Sequence, residues 1–320
     1  MKTSLHCILT TAAAALLLGS ASIPSHADIL YVGNAGNNTV EKFTSAGIGS
    51  IFANTGLTNP YGLAFDSAGN LYVANKNNST IEKFTPGGVA SVFVNSGLSG
   101  PQGLAFDSAG NLYVSNHLTL DTIQKITPAG VRTQFASMPL YAPIGLAFDS
   151  ADNLYVGNLG FDVITKFTPS GAASFFGSPI YANPYGLAFD KAGNLYVSND
   201  TNNTIEKITP SGVGTIFAST LLNDPQGLAF DSAGNLYVAN YNSNRIVKFT
   251  PDGVGSVFAD ASDGINRPHF IAFTDDNGVP LPLANQRPIP EPATWALLGL
   301  GLPALLGISR PRRLAGCVGR

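Results

Sequence analysis

The chain has 320 residues, with 17 Lys and Arg, 20 Asp and Glu, 35 Gly and 21 Pro, and only 12% of it is charged. Turn-rich β structure explains that composition without invoking disorder. Cys7 and Cys317 are the only cysteines and sit at opposite ends, so no disulfide framework holds the interior.

Residues 1–27 have the pattern of a secretory signal. Lys2 supplies the positive start, an apolar stretch runs up to Leu18, and Ser25-His26-Ala27 offers small residues at a cleavage position. Cleavage between Ala27 and Asp28 is expected. Residues 28–290 then carry 12 basic and 19 acidic side chains, a balance of −7 that argues against nucleic acid or an anionic membrane as partner.

From Gly62 the chain repeats one phrase five times. GLAFDSAGNLYVAN starts at Gly62, and near-copies start at Gly103, Gly145, Gly186 and Gly227, at offsets of 41, 42, 41 and 41. A fixed period of that size with strand-like content marks a β-propeller, one blade per repeat. Within residues 60–100, segments 62–65, 71–74, 80–85 and 89–94 predict four antiparallel strands. Asp66-Ser67-Ala68-Gly69-Asn70 predicts a turn with Gly69 left-handed. Asp152, at the same position of the third copy, is among the few residues that tolerate that conformation.

The chain ends complete the count. Asp28 to Asn34 matches a second strand without a first, and Pro268-His269-Phe270-Ile271-Ala272-Phe273 matches the missing first strand. The expected fold is all-β: a six-bladed propeller over 28–276, four antiparallel strands per blade, closed by pairing the two ends. Residues 277–289, with Pro280, Pro282 and Pro288, predict a linker. Pro290-Glu291-Pro292 follows, then an apolar run at 293–308, then Arg310, Arg312 and Arg313. Sixteen residues fall just short of the usual ~17–25 of a membrane helix. A transmembrane segment is nonetheless expected there, with the arginines and residues 314–320 in the cytoplasm.

Strand order puts two sets of side chains at one rim. Asn34, Asn75, Asn116, Asn158, Asn199 and Asn240 end the second strands, while Tyr61, Gln102, Ile144, Tyr185, Gln226 and His269 open the first strands. Two accounts stand side by side for them. They form a polar, aromatic mouth for a ligand such as a glycan, or the asparagines cap loops and the tyrosines pack. The Asp ring at the opposite rim (Asp66, Asp107, Asp149, Asp190, Asp231) is explained by turn capping. Residues that break the symmetry at the mouth are few: His117, His269, Asp121, Asp162, Asp200 and Tyr241. No nucleophile motif, phosphate-binding loop or metal-ligand spacing occurs, and no metal site is expected.

PYGLAFDSAGNLYVAN and NSTIEKFTPGG resemble the NHL repeat and its six-bladed relatives, and the resemblance covers nearly all of 28–276. Those relatives include interaction modules, streptogramin-lyase-like proteins and gluconolactonase-like metal enzymes. A lyase-like site implies a His beside a Glu, yet Glu41, Glu82 and Glu206 fall on third strands, away from the axis. A lactonase-like site implies converging carboxylates around calcium. PEPATWALLGLGLPALLG with its basic cluster resembles the PEP-CTERM sorting signal of Gram-negative bacteria, although Pro303 interrupts the apolar run and Leu314 to Arg320 continue past the arginines. That resemblance implies an exosortase as processing partner, a transient inner-membrane anchor, and delivery to the cell surface or outside. The resulting expectation is a non-enzymatic binding or scaffold module at the surface or in the extracellular polysaccharide matrix. Its partners would be polysaccharide or another surface protein, it needs no cofactor, and it touches membrane only through its tail. The alternative is a lyase-like or lactonase-like enzyme using the rim around His117 and His269, with calcium as the candidate metal.

Overall fold

The computed structural model describes residues 27–177 and 182–281. The leader, the apolar segment 293–308, the end 314–320, and the motif residues Pro290, Glu291, Pro292, Arg310, Arg312 and Arg313 lie outside the described residues. Among the described residues, no helix is long and apolar enough to cross a membrane.

The described residues form 24 strands in six four-stranded antiparallel sheets. Blade 2 is typical: β4 (Pro60–Phe65), β5 (Leu71–Asn75), β6 (Thr80–Phe84) and β7 (Ala90–Val94) pair in chain order. Blade 1 is the split one, in the order β24 (Pro268–Asp275), β1 (Asp28–Asn34), β2 (Thr39–Phe43) and β3 (Gly49–Ala53). Val32 pairs with Ile271 and Leu30 with Phe273, so the two ends of the chain share one sheet. Five whole repeats and one divided repeat therefore close the ring. Pro60 pairs with Asn75 at one end of each blade and Phe65 with Leu71 at the other; these ends are the upper and lower ends below.

The first strand of each blade is innermost, and successive first strands meet around the axis. They are β24, β4, β8 (Pro101–Phe106), β12 (Pro143–Phe148), β16 (Pro184–Phe189) and β20 (Pro225–Phe230). The repeated glycine makes this approach feasible. A Cβ at Gly62, Gly103, Gly145 or Gly186 would overlap the backbone carbonyl oxygen of Gln102, Ile144, Tyr185 or Gln226 on the next blade, and one at Gly227 would lie 2.6 Å from the carbonyl oxygen of His269. Five copies of one glycine thus record five close backbone contacts. In β24 the same position holds Phe270, whose ring enters the channel.

The core lies between blades, which is why both faces of each sheet are apolar. One tyrosine per blade bridges each joint edge-on. Tyr31 meets Phe65, Tyr72 meets Phe106, Tyr113 meets Phe148, Tyr155 meets Phe189, Tyr196 meets Phe230, and Tyr237 meets Phe273, with ring centroids 4.9–5.1 Å apart. Such pairs contribute about 0.5–1.5 kcal/mol each beyond burial.

The Asp ring holds turns at the lower end. Asp66 accepts from the backbone N–H groups of Ala68 and Asn70, from Asn70 Nδ2 and from the Tyr72 hydroxyl, and Lys83 Nζ stands 3.5 Å away. Burial alone would raise its pKa, but these donors and the Lys83 charge hold it below the usual carboxylate value. Gly69 has φ 77°, and Asp152 takes φ 57° in its copy of the turn, as the sequence predicts. The predicted linker begins later than residue 277. Residues 277–281 fold back on β24: Leu281 N donates to Phe273 O at 3.1 Å, and Thr274 bridges to Pro280. An Asp-Asp-Asn-Gly turn at 275–278 copies the turns of the repeats and reverses the chain, with Gly278 at φ 77°.

Gly145→Ala is expected to destabilise the ring by about 1–3 kcal/mol, because the methyl must push back the Tyr185 carbonyl. The shift in urea midpoint measures it; an unchanged midpoint would contradict the close-approach argument.

Candidate ligand-binding mouth

The upper asparagines are side chains that fasten loops. Asn75 Oδ1 accepts from Thr58 N at 2.9 Å, and its Nδ2 donates to Gly56 O at 2.8 Å and to Thr80 Oγ1 at 3.1 Å. Asn34, Asn116, Asn158, Asn199 and Asn240 likewise accept from backbone N–H groups of Asn266, Ser99, Tyr141, Ala182 and Asn223. Each asparagine pins the loop that enters its blade to the end of the second strand. All six are at most 1% exposed. A side chain that draws a loop over itself is buried by that loop, so these amides do not face a ligand.

The second set encircles the top of the channel, centred on His269. Its imidazole stacks on Tyr61 at 3.6 Å and 25°, lies 4.8 Å from the Tyr241 ring, and is 6.5 Å from and nearly parallel to Tyr185. Lys76 Nζ sits 4.5 Å from the centre of the Tyr61 ring and 3.0 Å from its hydroxyl, and Arg267 sits 5.9 Å above Tyr241. The result is a ladder of cation, ring, imidazole, ring and cation across blades 2, 1 and 6. Burial, then the Lys76 charge, holds the His269 pKa well below that of free imidazole. The ring is therefore neutral and can donate from Nδ1 to Gln226 Oε1, its close partner.

Tyr185 faces the same centre. Burial pushes its hydroxyl well above the ordinary tyrosine value, with Tyr61, Asp224 and Asp200 adding to the effect. Asp200 and Asp224 are also raised, first by burial, and Asp200 further by repulsion from Asp224. Gln226 Nε2 donates to Asp224 Oδ1 at 3.1 Å. Gln102, 1% exposed, keeps a buried Nε2 with no partner.

Phe270 packs 5.9 Å from Tyr185 and, with Leu159, against the apolar cluster of Tyr61, Ile144 and Tyr185. Side chains thus fill the upper end of the axis. Sequence reasoning missed Phe270, although the break in a five-fold glycine pattern was its signal. The accessible lip consists of the half-buried residues that follow the asparagines: Ala35, Lys76, His117, Leu159, Asp200 and Tyr241.

The two histidines are not brought together as a pair. His117 belongs to the lip of blade 3, and its Nδ1 lies 3.5 Å from Asp121 Oδ1. Asp162 is engaged elsewhere, accepting from Asn183 N at 2.8 Å. Among the described residues, no group of three or more His, Cys, Asp and Glu is placed to hold a metal ion.

The carboxylates of the third strands are buried in the blades. Glu206, on β18 (Thr204–Ile208), is fully buried and neither oxygen has a partner. In blades 1 and 6 the rings of Phe43 and Phe249 fill the space beside Gly49 and Gly255; in blade 5 the shorter Ile208 leaves that space beside Gly214 to Glu206. Burial raises its pKa to about 7.

The fold and mouth define a six-bladed propeller with a packed cluster of aromatic and amide side chains at the upper end of its axis. A model of the virginiamycin B lyase family matches residues 48–280, most of the chain, and the chain belongs to that family. A PEP-CTERM protein-sorting motif matches residues 288–313. No curated protein matches the sequence significantly. Solved structures resemble it in fold. A chain of a nidogen/laminin complex superposes with a TM-score of 0.69 at 19% identity, covering 77% of this chain and 98% of that one. A catalytically inactive virginiamycin B lyase from Staphylococcus aureus, with quinupristin, gives 0.60 at 17% identity, over 79% and 94%. A gluconolactonase from Xanthomonas campestris gives 0.58 at 20%, over 64% and 77%.

Glu206 gives a pH prediction. An unfolded Glu ionises near its model value of 4.5 and the folded one near 7, so the folded state loses stability as pH rises through that interval and then levels off. Glu206→Gln should raise stability by up to about 3 kcal/mol at about pH 8 and leave it unchanged at about pH 4. Urea midpoints at the two pH values check this; equal effects at both would contradict it.

Proposed function

We propose that the protein is an exported, exosortase-sorted propeller that acts as a non-enzymatic binding or scaffold module at the cell surface or in the extracellular polysaccharide matrix. The observation that carries this is the setting of His269. It is clamped between Tyr61 and Tyr241 and paired through Nδ1 with the amide oxygen of Gln226. A general base needs access to a substrate proton, and this ring is 3% exposed. The half-buried lip, with Lys76, His117, Asp200 and Tyr241, instead suits hydrogen bonding and edge stacking to a polar ligand, with sugars the first class to test.

Family membership supports a second reading, a lyase acting at the same mouth. One experiment separates the two. The exported protein is screened against glycans, with and without calcium, and quinupristin consumption is followed in parallel. Saturable glycan binding without consumption is expected, with Tyr241→Ala weakening binding about tenfold, or ~1.4 kcal/mol. Consumption of quinupristin that disappears in His269→Ala would establish the lyase instead.

The matched sorting motif supports processing by an exosortase. Glu291→Ala should leave the unprocessed chain in the membrane fraction, detected by its slower migration on an immunoblot. Normal processing of that variant would remove the assigned role of Pro290-Glu291-Pro292.

A further inference from the structure

We propose that, while its sorting tail is attached, the propeller rests on the membrane by its lower face, with the turns between third and fourth strands in the lipid headgroup layer and the mouth pointing away. This rests on the sorting-tail reading above.

The exit of the chain sets the geometry. β24 runs from the upper end to the lower, where Asp275 pairs with Asp28. Thr274 pairs with Ile29 on one edge and with Pro280 on the other, so residues 279–281 lie on the edge of β24 opposite β1. The sorting motif begins seven residues after Leu281, and the apolar run begins at residue 293. Twelve residues reach at most about 40 Å when fully extended. That reach starts at the lower end, where Pro280 and Leu281 lie beside Thr274 and Phe273, so the lower face is the nearer one to the bilayer.

The surface at that end has the matching chemistry. The six turns read SAGI, PGGV, PAGV, PSGA, PSGV and PDGV, at 45–48, 86–89, 128–131, 169–172, 210–213 and 251–254, with Asp252 their single charge. Five of them end on a solvent-facing aliphatic side chain. Ile48, Val89, Val131, Val213 and Val254 are 60–69% exposed. Because they occupy one position of the repeat, the ring symmetry places them at one level, in a plane across the axis. Val279, beside the exit, is also exposed. The Asp ring just inside is matched by lysines at 3.3–3.8 Å, so it contributes no one-signed field against anionic lipid. Isolated, such a ring binds lipid weakly; a tether makes the second contact intramolecular and favours it.

The experiment uses the full chain with Cys7→Ser and Cys317→Ser, reconstituted in phosphatidylethanolamine–phosphatidylglycerol vesicles. Single cysteines at Val89→Cys, Val213→Cys and, at the upper end, Asn78→Cys carry an environment-sensitive fluorophore. Probes at 89 and 213 should gain about twofold in emission on vesicles and resist iodide quenching, whereas the probe at 78 should not. Equal quenching at all three sites in a chain that floats with the vesicles overturns the docking alone. Crosslinking between copies through 89 and 213 shows that a second chain covers this face and also overturns it. A chain that fails to float overturns the sorting-tail reading, and the docking with it.

Discussion

The structure depends on the approach of neighbouring inner strands around one axis. Each carbonyl at the second residue of a first strand lies where the adjacent blade would carry a Cβ, so the adjacent residue must be glycine. That contact sets how tightly the blades converge. It also lets the tyrosine of each blade reach the phenylalanine of the next at one repeated distance, so the aromatic belt and the backbone contacts at the axis support each other.

The one departure from this rule makes the mouth. In β24 a phenylalanine replaces the glycine, and its ring packs against the cluster of Tyr61, Ile144 and Tyr185 at the axis. The same split blade supplies His269, which its neighbours sandwich. The candidate mouth and the closure of the ring therefore meet in the blade built from both ends of the chain. A site in the other blades would have to displace side chains that hold loops, since each upper asparagine already fastens the loop above it.

The two faces of the ring have separate tasks under this account. The upper face holds the aromatic cluster around His269, while the lower face holds the Asp–Lys pairs, turns with few charges and the exit toward the sorting motif. A molecule delivered by its tail can then present its mouth outward before and after processing. Membership in the virginiamycin B lyase family concerns the scaffold most directly, because the features that recur in every blade are the ones that build the ring.

The period of the repeat, the split blade, the turn aspartates and even the left-handed Asp152 were legible in the sequence, because each follows from local chemistry repeated at a fixed interval. The sorting motif was legible for the same reason: its order along the chain is its signal. The mouth was only half legible. Strand order placed Tyr61, Tyr185, Gln226 and His269 at one rim, but residues such as Lys76, Tyr241 and Arg267 become neighbours of His269 only when blades 2, 1 and 6 meet around the axis. For the asparagines the sequence allowed both accounts, loop cap or ligand amide; the loop that buries each comes from some 17 residues upstream, or from the far end of the chain for Asn34. The sequence by itself determined the ring and its export. Tertiary structure alone decided which polar side chains remain free to meet a ligand, because burial depends on contacts between distant segments and not on local pattern.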